Sequence, residues 1–253
     1  KARAADRLTF LAAAFAGDPA GRNCDDDPQR CNRHGTRFPL TGSTLWMGEM
    51  QVGTPPADGA EGFPGIYKLG AWYSNGHFGD QRYGRDGAGA VVPLSDPAAD
   101  RPFDHKGNWG LYGVVDQTVW RGRSSSLSMF LRGGVSPSSR NLISTYADAG
   151  FGLKGPLTGR PDDLLTLGVA WAKISPDAVA ADRDAAASGG QPVAVRRSEV
   201  AFELSYTAQM TPWWTLQPDL QYIVHPNGGQ NPEDSARRLG NAFVVGLRTT
   251  IKF

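Results

Sequence analysis

The sequence has no run of ~18 apolar residues, the length a membrane-spanning helix needs, so passage through a bilayer on helices is excluded. It has almost no net charge: 26 Lys and Arg stand against 25 Asp and Glu, a formal +1. A nucleic-acid partner calls for a basic surplus or stripe and is not expected. There are 2 cysteines, too few for a structural zinc site without an accompanying ligand set. The chain opens on Lys1, with no initiator Met and no apolar leader, so a secretory signal is absent or already removed. It shows no nucleophile elbow and no dinucleotide fingerprint. The segment Gly84 to Ala90 is glycine-rich but does not join a strand to a helix start, and it reads as a flexible loop. His34, His77, His105 and His225 all fall in predicted loops, away from any nucleophile pattern. Asp25, Asp26 and Asp27 lack the spaced oxygen ligands of a calcium loop and read as a solvated tip. No catalytic residue, cofactor or metal ligand is assigned.

What the sequence does contain is glycine (32), proline (18), aromatic residues (7 Trp, 7 Tyr, 11 Phe) and period-two alternation. The last segment is the clearest. Phe243, Val245, Leu247, Ile251 and Phe253 fall on one face, and Ala242, Gly246, Arg248, Thr250 and Lys252 on the other. Such alternation predicts half-buried strands. About ten are predicted, near 7–17, 44–53, 64–75, 107–121, 125–135, 141–154, 164–174, 197–210, 213–224 and 240–253. Most reach ~10 residues, the length of a tilted membrane-spanning strand rather than of a soluble one. The links also alternate between short ones (54–63, 122–124, 211–212) and long, Gly/Pro/Asp-rich ones (18–43, 76–106, 175–196, 225–239), as in outer-membrane barrels. The link 136–140 is short for its side and fits least well. Trp46, Trp109, Trp171, Trp213, Trp214 and Tyr222 lie near strand ends, where an interfacial girdle belongs. A soluble glycan-binding β-sandwich also alternates, but it has no reason for strands of this length or for aromatics at their ends. The expected fold is therefore all-β, a transmembrane antiparallel β-barrel.

Several stretches carry a more specific likeness. These are Gly107-Asn108-Trp109-Gly110-Leu111-Tyr112-Gly113-Val114-Val115-Asp116-Gln117, then Thr211-Pro212-Trp213-Trp214-Thr215-Leu216-Gln217-Pro218-Asp219-Leu220-Gln221-Tyr222, and His225-Pro226-Asn227-Gly228-Gly229. Ala242 to Phe253 looks like a closing strand, and Gly17-Asp18-Pro19 and Asp27-Pro28-Gln29-Arg30 look like loop patterns of the same family. The chain resembles the carbohydrate-selective outer-membrane porins of the OprB family. The resemblance implies a sixteen-stranded barrel in the bacterial outer membrane, of which residues 1–253 look like the carboxyl-terminal part, one amino-terminally truncated porin domain; a naturally short relative closing on about ten strands is the other reading. It implies passive diffusion of mono- or oligosaccharide solutes, with a porin of broad or other selectivity as the alternative. The implied partners are those solutes, outer-membrane lipid, and the barrel assembly machinery, reached through the terminal strand ending at Phe253.

In such a barrel the inward face meets water. The pore-lining or sugar-contact candidates are Glu49, Lys68, Asp116, Arg132, Tyr146, Asp148, Glu199, Glu203, Gln217, Asp219, Gln221 and Arg248. Mixed charges suit a neutral saccharide better than a ring of one sign, which selects ions. Cys24 and Cys31 share one long link, and an exported chain meets oxidising conditions, so a disulfide closing that loop is expected. The Ala-rich stretch 177–190 is expected to be part of a loop, helical in places, folded over the pore mouth.

Overall fold

The computed structural model describes residues 2–5, 7–18, 20, 24, 28–36, 42–54, 62–189 and 193–252. The acidic run Asp25–Asp27 and the terminal Phe253 lie outside the described residues. The strands are β1 (Ala2–Ala5), β2 (Leu8–Ala16), β3 (Thr44–Thr54), β4 (Gly65–Asp86), β5 (Val91–Pro93), β6 (Ala99–Arg121), β7 (Ser126–Val135), β8 (Ile143–Lys154), β9 (Leu164–Ile174), β10 (Glu199–Thr211), β11 (Trp214–Val224) and β12 (Ala242–Ile251). They form one antiparallel sheet in which each strand pairs with the next in sequence, except that β5 folds back on β4 and β4 continues to β6. Two short helices, α1 (Pro28–Cys31) and α2 (Pro176–Ala187), lie in links. A disulfide joins Cys24 and Cys31, with Cα atoms 5.8 Å apart.

The sheet has no dry core of the usual kind. Among the described residues, the buried hydrophobic side chains are only Ala20, Ile174, Ala178 and Ala194. Phe243 (66%), Val245 (69%), Leu247 (70%) and Leu69 (60%) are instead largely exposed. A sandwich hides such side chains between its sheets. Here a whole apolar face is presented outward, an arrangement stable only against lipid.

Two sequence expectations change. The link 76–106 is not a loop: β4 and β6 run on to Asp86 and Ala99, well past the length that crosses a bilayer. His77 and His105 therefore sit in strands, and Gly84 lies in β4 rather than in a flexible loop. Beyond the lipid both faces of a ribbon meet water, so the alternation that marks a lipid-crossing strand disappears. The ribbon departs from the main sheet at a break in register between Ser74 and His77. Gly107 lies there with φ 84°, backbone that favours glycine, and a Cβ would come 3.0 Å from the Tyr73 hydroxyl. The first predicted strand, 7–17, becomes β2, with the additional β1 paired to it.

Candidate functional site: the hydrophilic face

Strand pairing decides which residues share a face, because directly opposed residues point the same way. Gln217 opposes Arg248, Glu203 opposes Gln221, and Asp219 opposes Ser205. Asp148 opposes Arg132, Arg132 opposes Val114, and Val114 opposes Lys68. Glu49 opposes Gly70, which opposes Tyr112, then Gly134, then Tyr146. Tyr146 opposes Ala172, which opposes Glu199. Asp116 opposes Phe130, and the row through Gly150, Gly168 and Glu203 ties it to the same side. All the candidate lining residues thus lie on one face. The other face carries the apolar set, including a row of Trp46, Tyr73 and Trp109 directly opposed across three strands. Trp46 and Tyr73 stack with centroids 5.9 Å apart.

Some candidates are brought together. Tyr112 donates to Glu49 Oε2 (2.7 Å), and Gln51 donates to its Oε1 (2.5 Å). The Tyr112 ring lies flat across Gly70, where a Cβ would come 2.2 Å from it, so the strand needs glycine there. The Arg132 guanidinium sits 4.8 Å from the Phe130 centroid, and its Nε is 3.4 Å from Asp148. Gln221 donates to Glu203 (3.2 Å) and to Asp219 (3.3 Å). Glu199 is drawn away from the rest: it accepts from the Asn227 backbone N–H (2.7 Å) in the turn after β11. Gln51, Trp72, Tyr112 and Phe130 share the hydrophilic face but were not among the sequence candidates. Their parity with Glu49, Lys68, Asp116 and Arg132 on the same strands would have placed them.

The two ends of the sheet differ. At the long-link end, α2 is capped by Ser175, whose hydroxyl accepts from Ala178 N (3.0 Å). Asp182 of α2 accepts from Arg196 Nε (2.8 Å), Nη2 (2.7 Å) and backbone N (2.9 Å). Asp184 pairs with Arg82 of β4 (2.8 Å), and Asp177 accepts from Ser138 in the β7–β8 link. The short link 136–142 is therefore held between α2 and β4, with Gln81 N donating to Ser139 O (2.7 Å). In the extended ribbon, Asp80 is buried. Burial raises its carboxyl, but His105 (2.6 Å) and the backbone N–H groups of Tyr83 and Arg82 outweigh that and hold it below the usual carboxylate range. At the short-link end Asp163 is 1% exposed. It accepts from Arg160, from Tyr206 and from Gln209 N (2.9 Å). Its carboxyl is pulled down to about 2, chiefly by Arg160, against the opposing effect of burial.

The profile of the carbohydrate-selective porins, OprB family, matches residues 1–253. The chain belongs to the OprB family of carbohydrate-selective porins. It is 29% identical over 211 residues to Porin B of Pseudomonas aeruginosa, covering 78% of this chain and 43% of that one. It is 25% identical over 205 residues to the putative porin QuiX of Acinetobacter baylyi, covering 76% and 41%. The high-pH structure of Pseudomonas putida OprB superposes with a TM-score of 0.79 at 25% identity, over 99% of this chain and 57% of that one. The chain spans less than half the length of the curated relatives it matches. OprB-family porins are outer-membrane proteins, and the apolar face described above is that of an outer-membrane β-sheet. By the general rule for such barrels, the short turns are periplasmic and the long links extracellular.

Proposed function

We propose that this chain forms part of the wall of an outer-membrane channel through which small carbohydrates diffuse passively into the periplasm. The observation that carries the reading is the division of faces: pairing sets the hydrophilic candidates on one side and the exposed aliphatic and aromatic residues on the other. Such a wall separates lipid from water. The mixture of signs on the wet side, Glu49 and Asp116 with Lys68 and Arg248, favours neutral solutes over ions of one charge. No bond is made or broken; binding stays weak so that flux continues. Among the described residues β1 and β12 do not pair with each other. An open edge in lipid leaves backbone groups unsatisfied, so we take the sheet as the carboxyl-terminal part of a wider barrel, sixteen-stranded as the resemblance implies. Lipid on the apolar face and assembly machinery engaging β12 belong to the same reading.

Liposome swelling tests it. Vesicles holding the intact porin should admit glucose and maltose faster than polyols of equal size. Rates that rank by size alone would replace sugar selection with a broad pore, and vesicles that never swell would remove the channel.

A further inference from the structure

We propose that a recess in the hydrophilic face between β7 and β10 is a docking ledge for one pyranose ring, a claim that rests on the sugar-channel reading above. The recess has a volume of about 240 Å³. At ~30 Å³ per water this is room for about eight waters, on the order of a single sugar ring rather than a chain of them.

Its floor is built from residues with almost no side chain. Ala170 opposes Ala201, and Gly168 lies on the same face beside Glu203. A Cβ at Gly168 would meet nothing closer than 3.6 Å, so the floor is open rather than crowded. Phe130, Arg132, Tyr146 and Asp148 rise on one side and Glu203 on the other.

The polar groups around this floor are incompletely paired. Asp148 Oδ1 is buried and has no hydrogen-bond partner among the described residues. Its nearest cation, Arg132 Nε, is 3.4 Å away, beyond ordinary hydrogen-bond length. Asp148 has the Tyr146 hydroxyl and the Arg132 guanidinium beside it, but its Oδ1 makes no full hydrogen bond, and a hydroxyl lying in the recess would supply one. Arg132 is stacked on Phe130 and so held in place, with the donors of its rigid fork only partly used. Glu203 accepts from Gln221 with one carboxylate oxygen. The recess therefore offers an anchored donor fork and acceptors on opposite sides, above a floor of methyl and methylene surface. A pyranose has this pattern: hydroxyls around its edge and C–H bonds on its faces.

The test is carried out on the intact porin in planar bilayers, by titrating D-glucose and reading the concentration that halves the KCl current. Ala201→Leu fills the floor and removes no existing hydrogen bond, and it should raise the half-blocking concentration at least about tenfold. Asp148→Asn should raise it several-fold. Thr250→Ala, on the same face but two strands away from the recess, should leave both the half-blocking concentration and the open-channel conductance unchanged. If glucose blocks the wild type and both recess variants alike, the ledge is overturned and the sugar channel stands. If glucose blocks the wild type no better than a polyethylene glycol of equal size, sugar selection itself fails and the ledge falls with it.

Discussion

At the residue scale, Asp163 is a buried carboxylate outside the lipid, held by Arg160, Tyr206 and the Gln209 N–H. A buried carboxylate with three donors contrasts with the partly exposed Arg82–Asp184 pair, because exposed ion pairs contribute ~0–1 kcal/mol. Asp163→Ala strands Arg160 and the Gln209 N–H, and should lower stability by about 1–3 kcal/mol. The pH dependence follows from the depressed carboxyl. Its folded value, about 2, lies below the unfolded ~3.9. The stabilisation is complete above the unfolded value and is lost as pH falls toward the folded one. Denaturant midpoints of wild type and Asp163→Ala should therefore differ at neutral pH and converge between about pH 4 and pH 2. The charged and amide residues proposed for the lining fall on one face, as strand parity predicts, although Gln51 on that face was missed. Phe130 and Tyr112 were not among the candidates, yet the Tyr112 ring lies flat over Gly70 and the Phe130 ring over Gly150 on the wet side.

At the element scale, the strands that cross lipid were legible and the ribbon beyond them was not. β12 was placed within two residues at its start because its two solvents differ, and the same holds for β7, β9 and β11. The outer halves of β4 and β6 face one solvent, and only their mutual pairing defines them. Position along β12 makes a prediction. Leu247→Arg places a charge on the lipid face near mid-strand and should cost ~2–4 kcal/mol, whereas Arg248→Leu on the adjoining wet position should cost far less. Urea titrations of protein folded in vesicles would separate the two. The extracellular helix α2 was anticipated from its alanines, but its anchors were not, since Asp182 and Arg196 meet only in the folded loop. Removing Asp182 strands the partly buried Arg196 guanidinium and the Arg196 N–H, at about 1–3 kcal/mol. Asp182→Ala should therefore make the β9–β10 link susceptible to protease added outside vesicles, with cleavage many-fold faster than in wild type. Asp184→Ala should change it little.

At the scale of the whole molecule, one sheet divides two solvents, and among the described residues no dry interior competes for the apolar side chains. This division explains the strand lengths, the opposed Trp46–Tyr73–Trp109 row and the concentration of hydrogen-bonded carboxylates on a single side. The measurement that addresses it most directly is a nitroxide scan of β12 in lipid vesicles, reading collision with oxygen, which concentrates in lipid, and with a water-soluble nickel complex. Labels at 243, 245 and 247 should collide with oxygen, and labels at 244, 246 and 248 with nickel, alternating residue by residue in opposite phase. Labels that show no alternation, or protection of 243, 245 and 247 from both reagents, would mean that the apolar side faces a packed protein interior, and the account would be wrong.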